Sequence, residues 1–186
     1  VDITVYGRGG AAHSPHFAVD PIVIAAHVIT ALQTIVSRRV DPLDSAVITV
    51  GSVHAGSKHN IIPAEAKLEL TVRSYSAETR ELLLDGIRQV VTNTCRALGS
   101  PKDPLIVQHE DMHAPATWND PALTEAAGAV FRKVLGDDRV IEGGPAMGAE
   151  DFGRFGTHLK VPSLMFWLGS VSKERYEASH REGGAP

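Results

Sequence analysis

Over the first eight residues hydrophobic and polar positions alternate, Val1, Ile3 and Val5 on one side and Asp2, Thr4 and Tyr6 on the other. That period of two predicts a half-buried strand. The pattern switches at Asp20-Pro21, an acidic N-cap followed by proline at the first helical position. A helix is expected from there to about Arg39. Ile22, Ala25, Ile29, Leu32 and Val36 form one apolar stripe, and Ile24, Val28, Ala31 and Ile35 a second beside it. A helix this apolar is wider than one sheet face needs, so the second stripe is expected to meet another subunit. Ala46 to Val53 reads as a strand, and Ala64 to Tyr75 as another. The latter alternates cleanly: Ala66, Leu68, Leu70 and Val72 inward, Lys67, Glu69, Thr71 and Arg73 outward. One dry face and one wet face suit an antiparallel sheet. Ser76 caps a second helix with Leu83, Ile87, Val90, Val91, Cys95 and Leu98 on its buried side, stopped by Gly99 and Pro101. Leu105 to His109 closes the series. The order is strand-helix-strand-strand-helix-strand, the βαββαβ arrangement of ferredoxin-like domains in the α+β class.

The character changes after Met112. His113 to Thr117 reads as a linker, and Asp120-Pro121 repeats the helix-start signal ahead of Leu123, Ala126, Ala127, Val130 and Val134. A short strand at 140–142, a glycine-rich loop and a continuous apolar strand from Pro162 to Leu168 are expected next. Such a strand is usually buried on both faces, and the elements around it are too few to bury it. The division expected is therefore a ferredoxin-like domain over 1–113 and an incomplete α/β segment over 114–186.

Composition narrows the picture modestly. A hydrophobic share of 43% with 22% charged residues is that of an ordinary globular chain. A net charge of -4 gives no reason to expect nucleic acid or an acidic membrane as partner. No apolar run in the sequence approaches the roughly 20 residues that span a bilayer. The single Cys95 excludes an internal disulfide and a cysteine-rich zinc site. It reads as a small packed residue in a cytoplasmic protein. The chain opens on Val1 without an initiator Met, so a processed or excised piece of a larger protein is expected.

Nine histidines are present, at 13, 16, 27, 54, 59, 109, 113, 158 and 180. No pair has the spacing of a helical zinc site. Gly7-Arg8-Gly9-Gly10 lacks both the third glycine of a dinucleotide fingerprint and the Lys-Ser/Thr of a P-loop. A turn that brings backbone close to a ligand or a neighbour fits it better. Neither Ser14 nor Ser170 has a nucleophile-elbow context. Gly148-Ala149-Glu150-Asp151-Phe152 sets adjacent carboxylates behind glycine. They read equally as an acid/base pair or metal surroundings and as the acidic start of a helix.

Taken in order, these motifs resemble the zinc-dependent aminoacylase and hippurate-hydrolase metallopeptidases, the carboxypeptidase G2-like group. The matching stretches are Gly7 to Gly10 through Pro15-His16, Ala18 to Pro21, Val50-Gly51-Ser52, Asn60-Ile61-Ile62-Pro63, Thr71 to Ser74, Gly148 to Phe152 and Phe166 to Gly169. The resemblance implies a lid domain of ferredoxin-like fold, inserted in a catalytic domain and forming a homodimer. It also implies two divalent metals, zinc first, and hydrolysis of the amide bond of an N-acyl amino acid or related small amide. Asn60 and Arg73 match the lid positions that reach the substrate carboxylate. Arg suits that role because its planar fork pairs bidentately. The histidine that polarises the scissile carbonyl should follow the two glycines, where this chain has Ala11; His13 is the substitute candidate. His16 matches a Pro-His pair of structural character. His180 is a poor match to the last metal ligand, and most ligands fall in a segment this chain lacks. The chain alone is expected to bind no metal tightly and to hydrolyse nothing. The alternatives left open are a stand-alone dimerisation or binding module and a non-catalytic regulator.

Overall fold

A computed structural model describes residues 1–182, without the side chains of His180 and Glu182. The chain divides into two compact units. One comprises Val1–Ala116 with Gly144–Glu150, the other Thr117–Gly143 with the residues from Asp151 onward.

In the first unit, β1 (Asp2–Tyr6), β3 (Ala46–Ala55), β5 (Glu65–Ser74) and β6 (Leu105–Val107) form an antiparallel sheet in the order β3-β5-β1-β6. Helix α1 (Pro21–Arg39) crosses from β1 to β3, and α2 (Ala77–Ala97) from β5 to β6. Both pack on the sheet and on each other, which is the βαββαβ fold the sequence pattern predicts. The caps form as expected: the Asp20 side chain accepts from the Ile22 amide, and Ser76 from that of Thr79. Gly99 closes α2 at φ +77°, a left-handed conformation that glycine adopts without a Cβ penalty.

The core is a single cluster. Ile3, Val5, Ile48, Ala66, Leu68 and Leu70 supply the sheet side, and Ile24, Ala25, Val28, Leu32, Ile35, Leu83, Ile87, Val91 and Cys95 the helix side. Lys67, Glu69 and Thr71 lie on the opposite, open face, as their alternation requires. The helices meet closely at Gly86, where an added Cβ would lie 2.9 Å from Cγ2 of Ile35.

Three expectations are corrected. The second stripe of α1, expected to meet another subunit, faces the core through Ile24, Val28 and Ile35, together with Leu32, whereas Ile22 of the first stripe is 45% exposed and its neighbour Val23 51%. The α1 helix is, by length and composition, apolar enough to cross a membrane, although no uninterrupted apolar run announces it. Its buried stripe packs in the core. The strands expected at 140–142 and 162–168 do not form. A strand is made by its ladder partner, and none pairs with either segment.

The second unit has α3 (Pro121–Leu135), α4 (Gly153–Leu159) and α5 (Lys173–Glu182). The Asp120 cap accepts from the Leu123 amide. The 162–168 segment is held irregularly: Asn119 exchanges two hydrogen bonds of 2.8 Å with the Met165 backbone, and the Asp120 amide donates to the Ser163 carbonyl. Phe166, Trp167 and Leu168 are 56, 78 and 80% exposed. The side chain of His180 lies outside the described residues, as do residues 183–186.

Candidate substrate-binding site

The loop from Gly7 to Val19 is closed at its base by reciprocal backbone bonds of 2.9 Å between Arg8 and Val19. Gly7 is required there, since a Cβ would fall 2.3 Å from the Val19 carbonyl oxygen. The glycine-rich turn thus brings backbone near a neighbouring stretch of the same chain. Arg8 Nε donates to the Phe17 carbonyl, and the His16 and Phe17 rings sit 4.0 Å apart.

This loop is joined to the one between β3 and β5 by a two-stranded ladder absent from the sequence prediction. In it β2 (Gly10–Ala11) pairs with β4 (Ile61–Ile62), Gly10 opposite Ile62 and Ala11 opposite Ile61. The Ala12 amide extends the contact by donating to the Asn60 carbonyl at 3.0 Å. Beyond the ladder each loop turns sharply. The Ser14 amide returns to the Ala11 carbonyl, and the Ile61 amide to that of Lys58. The two turns carry His13 on one side and His59 and Asn60 on the other, all exposed. Residues 7–19 and 56–64 contain Arg8, Lys58 and three histidines but no carboxylate. That one-signed tip suits the negative charge that develops on a carbonyl oxygen under attack.

Arg73 is elsewhere. It lies near the far end of β5, opposite Val47 of β3, half-buried, its side chain without a hydrogen bond or ion pair among the described residues. Eight steps along the strand separate it from Glu65, where β5 leaves the tip, and at about 3.4 Å each they span roughly 27 Å. The structure therefore brings His13 and Asn60 together and holds Arg73 apart. Asn60 and Arg73 of one protomer thus stand toward opposite ends of β5.

The other chemical candidates separate cleanly. Cys95 is buried in the core, and burial, with the charge of Asp103 second, pushes its thiol from 9.0 up to about 11. That is the opposite of an activated nucleophile. Asp103 is itself held below the usual carboxylate range by a bidentate hydrogen bond from Arg96. Among the described residues no group of three or more His, Cys, Asp or Glu side chains is arranged to hold a metal ion.

Residues 1–98 match the family model of the peptidase dimerisation domain. The chain belongs to that family. Its curated relatives include thermostable carboxypeptidase 2 of Saccharolobus solfataricus, 33% identical over 93% of this chain and 42% of the relative. The N-acetyldiaminopimelate deacetylase of Bacillus subtilis is 40% identical over 92% of this chain and 44% of the relative. The chain thus spans less than half the length of the curated relatives it matches. Among solved structures, a hydantoinase/carbamoylase family amidase from Burkholderia ambifaria superposes with a TM-score of 0.68 at 19% identity, over 87% of this chain and 37% of its own. A dinuclear metal binding peptidase of the M20 family from Bacillus subtilis does so with 0.63 at 24% identity, over 87% and 37%. At those identities the likeness concerns the fold. The matched residues hold β1 to β5 and both helices, so the tip and Arg73 both belong to the peptidase dimerisation domain.

Proposed function

We propose that this chain is the lid and dimer-forming part of a metal-dependent amidohydrolase that cleaves N-acyl amino acids or related small amides. The deacetylase and carboxypeptidase names of the relatives support that substrate class. The observation that carries the reading is the ladder uniting His13 and Asn60 at one tip while Arg73 stands at the other end of β5. In a symmetric dimer the two ends act in one site: Arg73 of one protomer grips the substrate carboxylate, and the partner's tip covers the scissile carbonyl. There the Asn60 amide and the His13 imidazole donate to the developing oxyanion. The described residues do not fit the two divalent metals, zinc in our reading. Those ions belong with the rest of the parent enzyme, and this chain binds and orients substrate.

The homodimer has a suitable surface. β3 is a ten-residue edge strand whose outer side is unpaired. From Ala46 to Ala55 it carries none of the lysines or prolines that usually blunt an edge. Beside its end lies the exposed Ile22 of α1, 3.9 Å from a Cβ built on Gly56. A second copy pairing there antiparallel would extend the sheet under two-fold symmetry.

The test is hydrolysis of N-acyl amino acids by the full-length protein. Arg73→Ala should raise KM about 10- to 100-fold, the worth of a charge-assisted pair, and Asn60→Ala should lower kcat. This chain alone should bind no stoichiometric zinc and turn nothing over. Wild-type values for both variants would contradict the reading. Ala11 favours a second, non-catalytic reading, since a methyl group stands opposite Ile61 where an imidazole is expected. A full-length protein that is inactive with its metals loaded, and that gains turnover in Ala11→His, would select it.

A further inference from the structure

The glycine-rich stretch around Gly143, Gly144 and Gly148 belongs to no helix or strand. A Cβ added at any of these glycines meets nothing within 4 Å. Yet Gly144–Glu150 is part of the first compact unit, separated by 27 residues of chain from the rest of it. A side-chain hydrogen bond ties the stretch to this unit: the Tyr75 hydroxyl donates to the Ala146 carbonyl at 2.8 Å, across 71 residues of sequence. Tyr75 stands two residues past Arg73, at the point where β5 ends and the Ser76 cap begins. Tyr75 is 43% exposed and its hydroxyl faces the loop, so it contributes nothing to the core that a phenylalanine would not.

We propose that Tyr75 is a positioning residue that fastens the 144–150 loop beside Arg73, so that loop and arginine together receive the carboxylate end of the substrate. The inference rests on the amidohydrolase reading for the identity of the ligand, and on the Tyr75–Ala146 bond for the geometry. Arg73 supplies the charge. The loop, free of bulky side chains at its glycines, closes over the bound group with backbone amides. Without the tether the loop still exists but samples many positions, and binding must then order it.

Two measurements on Tyr75→Phe test this. In this chain, a glutamate-specific protease reports loop release through cleavage after Glu142 and Glu150, with Glu125 of α3 as internal reference. Cleavage follows the population of the released loop, and losing one ordinary hydrogen bond should speed it roughly five-fold at the loop and not at Glu125. In the full-length protein the same variant should raise KM about five-fold and leave kcat within about two-fold, because only ordering of the bound carboxylate is impaired. Tyr75→Trp, which keeps a donor on a ring, should recover part of both effects. Unchanged cleavage overturns the tether. Faster cleavage with unchanged KM overturns the loop's role in substrate binding. A wild-type full-length protein that hydrolyses no acyl amino acid defeats the amidohydrolase reading instead, and the cleavage rates still decide whether Tyr75 holds the loop.

Discussion

The two units of this chain bury their apolar residues very differently. Every buried hydrophobic among the described residues lies between Ile3 and Cys95. In the second unit Val134, Phe155, Trp167 and Leu168 are 74, 62, 78 and 80% exposed, and Gly153 is its one buried residue among those described. Helix α3 of the second unit has a side-chain N-cap and an apolar stripe like α1 and α2 of the first, so these local signals do not distinguish the units. What differs is closure. The first unit supplies both the helix and the sheet side of its core. The second supplies helices and an extended apolar segment with no sheet. Exposed apolar surface on that scale marks an interaction surface, which in our reading the remainder of the parent enzyme covers.

The contrast can be broken most sharply by mutation. Leu32→Ala or Leu68→Ala should cost about 2–5 kcal/mol in denaturant unfolding, as for any fully buried leucine. Leu168→Ala should change stability by less than about 0.5 kcal/mol. Equal losses would mean that the second unit is packed as tightly as the first. Alkylation of Cys95 comes next. At pH 8 a thiol titrating near 11 in place of 9.0 holds about a hundred-fold less thiolate, so labelling of the folded chain should be slower by at least that factor than in denaturant. The sign for stability follows. The fold favours the neutral thiol, so this contribution is whole below pH 9.0 and is lost as pH rises through about 11. Gly86→Val should cost about 1–3 kcal/mol by pushing α2 off Ile35. The smallest effects belong to the caps, about 1 kcal/mol each. Ser76→Ala should lower the main unfolding transition, whereas Asp120→Ala should leave it unmoved and loosen only α3.

The sheet, its two helices and their caps were legible in the sequence because β5 alternates over ten residues and Asp20-Pro21 and Ser76 announce helix starts. The β2–β4 ladder was not, since two residues per strand are too few to show a period; it is specified by tight approach at Gly7 and Gly9. The 162–168 segment has a strand's composition, but a ladder partner is a property of the surroundings, not of the segment. His13, Asn60 and Arg73 are named by the resemblance as residue types. Their placement is not readable from spacing: the length of β5 separates Asn60 from Arg73, and a short ladder joins Asn60 to His13. Tyr75 carried no signal at all, because its partner is a backbone carbonyl 71 residues away.

The division of the site between two protomers is tested most directly by mixing impaired full-length variants at a substrate concentration below the wild-type KM. Asn60→Ala and Arg73→Ala, each impaired alone, should on unfolding and refolding together form mixed dimers with one intact site, recovering about a quarter of wild-type hydrolysis by statistical pairing of a symmetric dimer. Recovery at that level is the predicted result. Two impaired variants that show no recovery, although mixed dimers are present, would contradict the account, since Asn60 and Arg73 would then have to serve the same protomer's site.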